Sequence, residues 1–230
     1  MDALHALAEG GASAGTAVVA RSQTAGRGSR GRSWTSPPGG LWLSVLSRPA
    51  AAGLELVSLR TGLAVAEALG RLGAGNRIRL KWPNDLMLDE RKLGGILCEA
   101  RWQGTALAWI VIGLGVNVEN QPPAELAARA ARLKDVLPGA AVEALVGPVI
   151  GAVREVDAAA GPLTDGEHAR FAARDWLRGR RILAPVAGTP TGVADDGALL
   201  VRQADGTTTQ VRAGTIVLAE GTAVSARSAT

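Results

Sequence analysis

Read for its spacing of apolar and polar positions, the chain separates into a segment of alternating strands and helices, a helical middle and a β-rich end. Residues 2–8 read as a short helix closed by the Gly10-Gly11 pair, and 16–20 is a β-like run. Residues 22–40 are crowded with Gly, Arg, Ser and Pro and must form a long loop, of a length that compact domains usually reserve for function or motion. Residues 41–46 alternate as a strand, and 54–72 carry apolar residues at helical spacing. Ile78 and Leu80 alternate with Arg77, Arg79 and Lys81 in a strand that runs into Trp82-Pro83-Asn84-Asp85. The runs 86–88 and 92–100 flank the polar turn Asp89-Glu90-Arg91, a hairpin signal. Residues 107–118 give a further strand whose central glycines, Gly113 and Gly115, mark a place where the backbone passes close to something. Pro122-Pro123 opens a predicted helix through Leu137, and further helices are predicted over 142–159 and 165–176. From Leu177 the texture changes to short runs at 181–186, 191–194, 199–202, 208–212 and 215–218, the pattern of a small β-barrel.

Composition narrows the classes. With 230 residues, 47% hydrophobic and 20% charged, the chain is globular, with room for one catalytic-sized domain and a small appendage. Six Trp, one Phe and no Tyr leave little with which to stack bases. The net charge of +4 is too small to indicate a nucleic-acid partner, but its distribution is uneven. No acidic residue lies between Glu9 and Glu55, while Arg21, Arg27, Arg30, Arg32 and Arg48 do, a positive segment suited to an anionic ligand. The single cysteine, Cys98, cannot form an internal disulfide, and the sequence contains neither a signal-peptide pattern nor a long apolar run; a reducing cytoplasm and no membrane are expected. His5 and His168 lie far apart without metal-ligand spacing, so no resident transition metal is expected, and no Ser-His-Asp arrangement is visible.

Three constellations can carry chemistry. In Gly26-Arg27-Gly28-Ser29-Arg30-Gly31-Arg32-Ser33-Trp34, glycines expose backbone N–H groups to an anion and guanidinium forks bind carboxylate or phosphate. The segment lacks the Gly-Lys-Ser/Thr ending of a P-loop, and by itself it also fits a solvated linker. Lys81-Trp82-Pro83-Asn84-Asp85 presents an amide and a carboxylate at a strand end, and the hairpin returns Lys92, followed by Leu93-Gly94-Gly95, beside it; read blandly, Trp82 is core and Asn84-Asp85 only a turn. In Gly113-Leu114-Gly115-Val116-Asn117, the Asn can meet a base edge or merely cap the strand.

Taken in order and at their spacing, these motifs resemble the bacterial biotin protein ligase family, the likeness running from Met1 to about Gly221. The resemblance implies an α+β fold: a mixed sheet with helices packed on one face, plus a small C-terminal SH3-like β-barrel. It divides the chain into a catalytic domain at 1–176, the barrel at 177–222 and a disordered tail at 223–230. It implies an ATP-dependent biotin–[biotin carboxyl carrier protein] ligase, which makes biotinyl-5'-AMP and transfers biotin to a carrier-domain lysine. Biotin is then a substrate, ATP and Mg2+ the cofactors, and a carboxylase carrier domain such as that of acetyl-CoA carboxylase the partner. A homodimer is an open possibility of the resemblance. By carry-over onto matching positions, Lys92, Arg27 and Asp85 are catalytic, and Gln23, Arg27, Gly28, Ser29, Lys92, Gly94 and Leu97 bind biotin. Arg30, Arg32, Trp34, Asn84 and Asn117 serve the nucleotide, and Cys98 is a small core residue with no nucleophilic role.

Two departures stand out. Family members have a strand ending in Ser-Thr before the first helix, and this chain starts just after that point, so on this reading the first strand is missing. Ser29 occupies the place where the family loop has its second Arg, with Arg30 one residue on, which puts tight retention of the adenylate in doubt. A winged-helix DNA-binding domain has no room here, so a monofunctional ligase that binds no DNA is expected. The competing readings are a lipoate or octanoyl transferase of the same fold, a degenerate biotin-binding protein and, from another class, a nucleic-acid-binding module using the basic loop.

Overall fold

The computed structural model describes residues 1–48, 54–156 and 161–219; the expected tail at 223–230 and the end of the helix predicted over 142–159 lie outside them. A six-stranded sheet organises the larger part of the chain. Its strands are β1 (Ala17–Ala20), β2 (Gly40–Ser47), β3 (Ile78–Lys81), β4 (Asp85–Leu88), β5 (Arg91–Gln103) and β6 (Ala106–Asn117), in the order β1-β2-β6-β5-β4-β3. The α+β class holds, but the sheet is antiparallel at each of these pairings and not mixed. The turns joining β3 to β4, β4 to β5 and β5 to β6 are too short for a parallel crossover. The parallel pairings among the described residues are isolated bridges, Leu80 with Asp175 and Lys92 with Ala130.

Helices α2 (Leu54–Leu69), α3 (Val142–Glu155) and α4 (Asp165–Arg174) pack on one face, where Leu63, Ala66, Leu145, Val149 and Phe171 meet Leu41, Leu43, Val45, Ile110 and Ile112. Helix α1 (Asp2–Glu9) corrects the one-face expectation. It covers the opposite side, with Leu4 and Ala8 against Leu46, Trp109 and Val111. The reason is in β2 and β6, whose residues are apolar at both alternations, so that each face needs a cover. Burying a side chain such as Leu4 completely contributes about 1.5–3 kcal/mol.

Helix termini follow local chemistry. The helix predicted over 54–72 leaves α-geometry after Leu69, where Gly73 takes a φ of 118°. At the start of α4 the Thr164 hydroxyl accepts from the Glu167 N–H and the Glu167 carboxylate accepts from the Thr164 N–H, a reciprocal cap. Glu167 also takes the Arg60 guanidinium at 2.7 Å, and that buried pairing, led by the Arg60 bond, holds its pKa down at about 2. Helix α4 stops at Arg174 because Asp175 turns extended and Trp176 N–H donates to Leu80 O at 2.9 Å.

The helix predicted over 122–137 is not formed. That stretch holds only short 3-10 turns at Ala124–Leu126 and Leu133–Asp135, because residues between them pair with β5: Lys92 N–H donates to Arg129 O at 2.7 Å, and Ala131 N–H to Lys92 O at 2.9 Å. Beyond α4, the five predicted strands all form, as β7 (Ile182–Ala184), β8 (Thr189–Val193), β9 (Leu199–Arg202), β10 (Thr208–Val211) and β11 (Val217–Leu218), in sheets β10-β9-β8 and β11-β7. Trp82 is fully buried and its indole N–H donates to Gly197 O at 2.9 Å, tying the end of β3 to this β-rich part.

Candidate active site

The Gly/Arg loop is ordered by its own backbone. Gly28 N–H donates to Arg32 O at 2.7 Å, and Trp34 N–H donates to Gly26 O at 2.9 Å. Bridges join Arg27 to Ser33 and Gln23 to Ser36. Gly26 is required because an added Cβ would run into the Trp34 carbonyl. The resulting small hairpin lies over the ends of β5 and β6 and roofs a cavity of about 450 Å³, reached by Gln23, Ser29, Ser44, Asn84, Leu97 and Gly113. A second cavity, of about 430 Å³, lies between the loop, β4 and the segment after β6, with Lys81, Asp85, Asn117, Arg129 and Trp176 among its walls. Arg32, Ser33, Trp34, Lys92 and Leu126 line both.

Lys92 is therefore at the junction. The short β4–β5 hairpin sets it opposite Met87, and its ammonium is 2.5 Å from Asp85 Oδ1 and 5.1 Å from the centre of the Trp34 ring. Trp34 Nε1–H is shielded from solvent and has no acceptor among the described residues; it lies so close to Gly115 that a Cβ there would be 2.8 Å away. A glycine is required at that point of β6 because the indole occupies the place of a side chain. Lys81 stands 5.3 Å from the Trp176 ring, and its pKa is lowered, first by burial and then by the nearby Lys92, Arg180 and Arg32, against the raising effect of Asp85.

Most of the residues singled out in the sequence reach one cavity or the other, with differences in role. Gln23, Gly28, Ser29 and Leu97 line the first cavity. Gly94 stays behind the wall, pressed against the Gly115 carbonyl, and Gly95 takes its place at the surface. Asn84 faces the first cavity, not the second, and its amide donates to Ile96 O at 2.7 Å. Asn117 faces the second, but its amide donates to Ala131 O and its oxygen accepts from Asn120. Arg30, at a φ of 61°, turns away from both and donates to Thr215 Oγ1 of the β-rich end. Arg32 donates to Ser29 Oγ at 2.9 Å. Arg27 has its guanidinium on Asp2 and Glu99, whose hydrogen bonds raise its pKa further. Cys98 is partly buried against the main core.

Lys81, Arg129 and Trp176 are cavity residues that the sequence reading passed over as site residues. Lys81 was legible as a motif neighbour of Asp85, while Arg129 was hidden in a stretch read as helix. Among the described residues no three His, Cys, Asp or Glu side chains gather as a metal site, and no helix is long and apolar enough to cross a membrane.

Residues 4–117 match the model of the biotin/lipoate A/B protein ligase family. The bifunctional ligase/repressor BirA of Escherichia coli is 51% identical over 110 residues, which is 45% of this chain and 33% of that protein. The biotin–[acetyl-CoA-carboxylase] ligase of Mycobacterium tuberculosis is 36% identical over 141 residues, 59% of this chain and 51% of that one. The matched stretch thus spans between a third and a half of these curated relatives. Among solved structures, the biotin protein ligase of Aquifex aeolicus in complex with biotin and ATP superposes with a TM-score of 0.78 at 28% identity, covering 94% of this chain and 93% of that chain.

Proposed function

The chain belongs to the biotin/lipoate A/B protein ligase family, and from that premise we propose that it is an ATP-dependent biotin protein ligase. The observation that carries the reading is the pair of cavities meeting at Lys92 and Trp34. Two substrates must react across a shared wall, and the wall bears the cation. In the first step a biotin carboxylate oxygen attacks the α-phosphorus of ATP, the new O–P bond forms, and pyrophosphate leaves. Both reactants are anions, so the approach is repulsive unless fixed positive charge lies between them. Lys92 supplies it from the junction, with Arg32 beside it.

On this reading the first cavity takes biotin, with Gln23, Gly28, Ser29, Asn84 and Leu97 around it, Gly94 shaping its wall from behind, and Trp34 separating it from the nucleotide. The second cavity takes ATP, its phosphates toward Lys81, Lys92 and Arg129. Asn117 shapes that cavity through Asn120 and Ala131. Arg30 fastens the loop to Thr215, and Arg27 lies on the rim of the first cavity. The carboxylates on the walls of the second cavity, Asp85 and Glu90, are paired with Lys92 and Arg180. They do not form a resident magnesium cage, so Mg2+ belongs to this reading only as an ion carried in by the phosphates.

In the second step the amine of a carrier-domain lysine attacks the carbonyl of the adenylate, AMP leaves with the bonding pair, and the amine loses a proton. Asp85 orients that amine and takes the proton, since it adjoins Lys92 at the junction. We place the reaction in the cytoplasm, where ATP and carboxylase carriers meet. Residues 1–176 act as the catalytic unit and 177–222 as the appended one. Pairing of two copies would use β1, the sheet edge where Val19 is exposed, because the β3 edge is covered by Asp175 and Trp176. Biotin-dependent ATP–pyrophosphate exchange tests the activity. The reading requires exchange with biotin that lipoate and octanoate do not support; exchange with either of those instead would reject it.

A further inference from the structure

Every donor of the Arg27 guanidinium that the structure pairs goes to a carboxylate: Glu99, outside the two cavities, and Asp2, which with Arg27 itself lies on the rim of the first. Nε and Nη2 donate to the two oxygens of Glu99 at 3.1 and 3.2 Å, and Nη1 and Nη2 donate to the two oxygens of Asp2 at 2.9 and 2.7 Å. These are two forks on adjoining edges of one plane, a geometry that fixes both the position and the tilt of the group.

Glu99 is the unusual member. It stands on β5 opposite Val111, in a row that otherwise meets the apolar cluster of Leu4, Leu46, Trp109 and Val111 beneath α1. A carboxylate there is costly unless it is fully paired. Burial raises its pKa, and hydrogen bonds from Arg27 and His5 outweigh the effect, so the net shift is downward. His5 is buried and places Nε2 at 3.0 Å from Glu99, while Trp109 Nε1 lies 3.0 Å from His5 Nδ1. An indole N–H can only donate, so Nδ1 must accept and the ring proton is on Nε2, directed at Glu99. Donors thus converge on Glu99 from two sides, the Trp109–His5 relay from beneath α1 and the Arg27 guanidinium from the loop.

Resting on the biotin-ligase reading of the cavities, we propose that Glu99 is a positioning residue for the first cavity. Held from behind by His5 and Trp109, it anchors Arg27 and so keeps the 26–34 hairpin closed over the biotin site. Arg27 acts here as the loop's anchor, and the charge for the reaction comes from Lys92. The Asp2 arm is the weaker one, because that carboxylate is 79% exposed against 22% for Glu99.

The test compares wild type with Glu99→Gln, Arg27→Met, the double variant and Asp2→Asn. Two readouts are used: the rate of tryptic cleavage after Arg30 and Arg32 in ligand-free protein, and steady-state kinetics for biotin. Glu99→Gln is expected to speed cleavage and raise the biotin KM, each about tenfold, with kcat within about twofold, the size of one lost charge-assisted bond. Arg27→Met should match its cleavage rate, the double variant should be cleaved no faster than the faster single, and Asp2→Asn should speed cleavage less than threefold. If Glu99→Gln fails to fold, the exposed end decides through Arg27→Met alone. Wild-type cleavage rates in Glu99→Gln and Arg27→Met, or fully multiplicative effects in the double variant, would overturn the anchor. Faster cleavage in variants of a protein that does not bind biotin at all would leave the anchor standing and reject the function instead.

Discussion

Truncating Lys92 to Ala removes the ammonium from the junction of the cavities and leaves the fold in place. The backbone bonds of Lys92 to Arg129 and Ala131 do not involve its side chain. The ion pair that is lost has partners 32% and 20% exposed, so it is worth no more than about 1 kcal/mol of stability. For a chain of this size that is about 2–4 °C in Tm. The reaction loses more. A charge-assisted hydrogen bond contributes about 1.5–3 kcal/mol, and a unit charge about 4 Å from the reacting anion gives about 4 kcal/mol at an effective dielectric of about 20. The variant also leaves the Asp85 carboxylate uncompensated at a site where two anions must meet. Together these place the loss at about 3–4 kcal/mol, or about two to three decades in biotin-dependent ATP–pyrophosphate exchange. Exchange rates at saturating substrates, measured beside circular dichroism and a thermal melt, separate chemistry from folding. Adding Asp85→Asn to Lys92→Ala should recover less than about tenfold. Exchange within about threefold of wild type in a folded Lys92→Ala protein, or nearly full recovery in the double variant, would refute the argument.

Three further outcomes follow from the same geometry. Asp175 is buried, and burial lifts its carboxyl pKa to about 6 despite the Leu177 N–H it accepts. A carboxyl raised on folding binds its proton more tightly in the native state, so its contribution to stability is present below about pH 4 and is lost as pH rises through about 6. Asp175→Asn should therefore stabilise the protein by about 1–3 kcal/mol at pH 7.5 in urea titrations and by nothing at pH 3.5; equal stability at both values would contradict the assignment. Gly115→Ala pushes on the Trp34 indole, the wall common to both cavities, and should weaken biotin and ATP binding together by calorimetry, whereas loss of one alone would show that the wall is not shared. Ser29→Arg restores a guanidinium at the rim of the first cavity, where Arg30 does not reach because it is held by Thr215, and should cut biotin labelling of a bystander lysine-rich protein about tenfold or more; equal low labelling by wild type and variant would show that the adenylate is already retained.

How far the sequence could carry this picture depended on the range of the interactions. Local patterns were sufficient for the strands, the long loop, and the β4–β5 hairpin that brings Lys92 to Asp85, because a strand alternation and a polar turn are encoded within a few residues. The stretch 122–137 misled because its Ala, Leu, Glu and Arg residues favour a helix, and the preference was overridden by backbone pairing of Arg129 and Ala131 with Lys92, a partner far away in sequence. The place of α1 was not visible, since nothing in its own residues says which face of the sheet it covers. Nor was the environment of the histidines: His5 meets Glu99 across 94 residues and His168 meets Asp195 across 27, separations at which spacing arguments have no force. The bland reading of Trp82 as core and the functional reading of its neighbours both hold in the fold, as the buried indole holds the strand end from which Asp85 and Asn84 reach different cavities.

The central claim, that two adjoining cavities unite biotin and ATP for transfer to a carrier lysine, is met most directly by intact mass spectrometry of a biotin carboxyl carrier domain incubated with the protein. With ATP, Mg2+ and biotin together, the carrier should gain one biotinyl group, the gain should vanish when ATP or biotin is left out or when the acceptor lysine is replaced by Arg, and Lys92→Ala should slow it by at least a hundredfold. A folded wild-type protein that leaves the carrier's mass unchanged, or a carrier modified without ATP, would contradict the account.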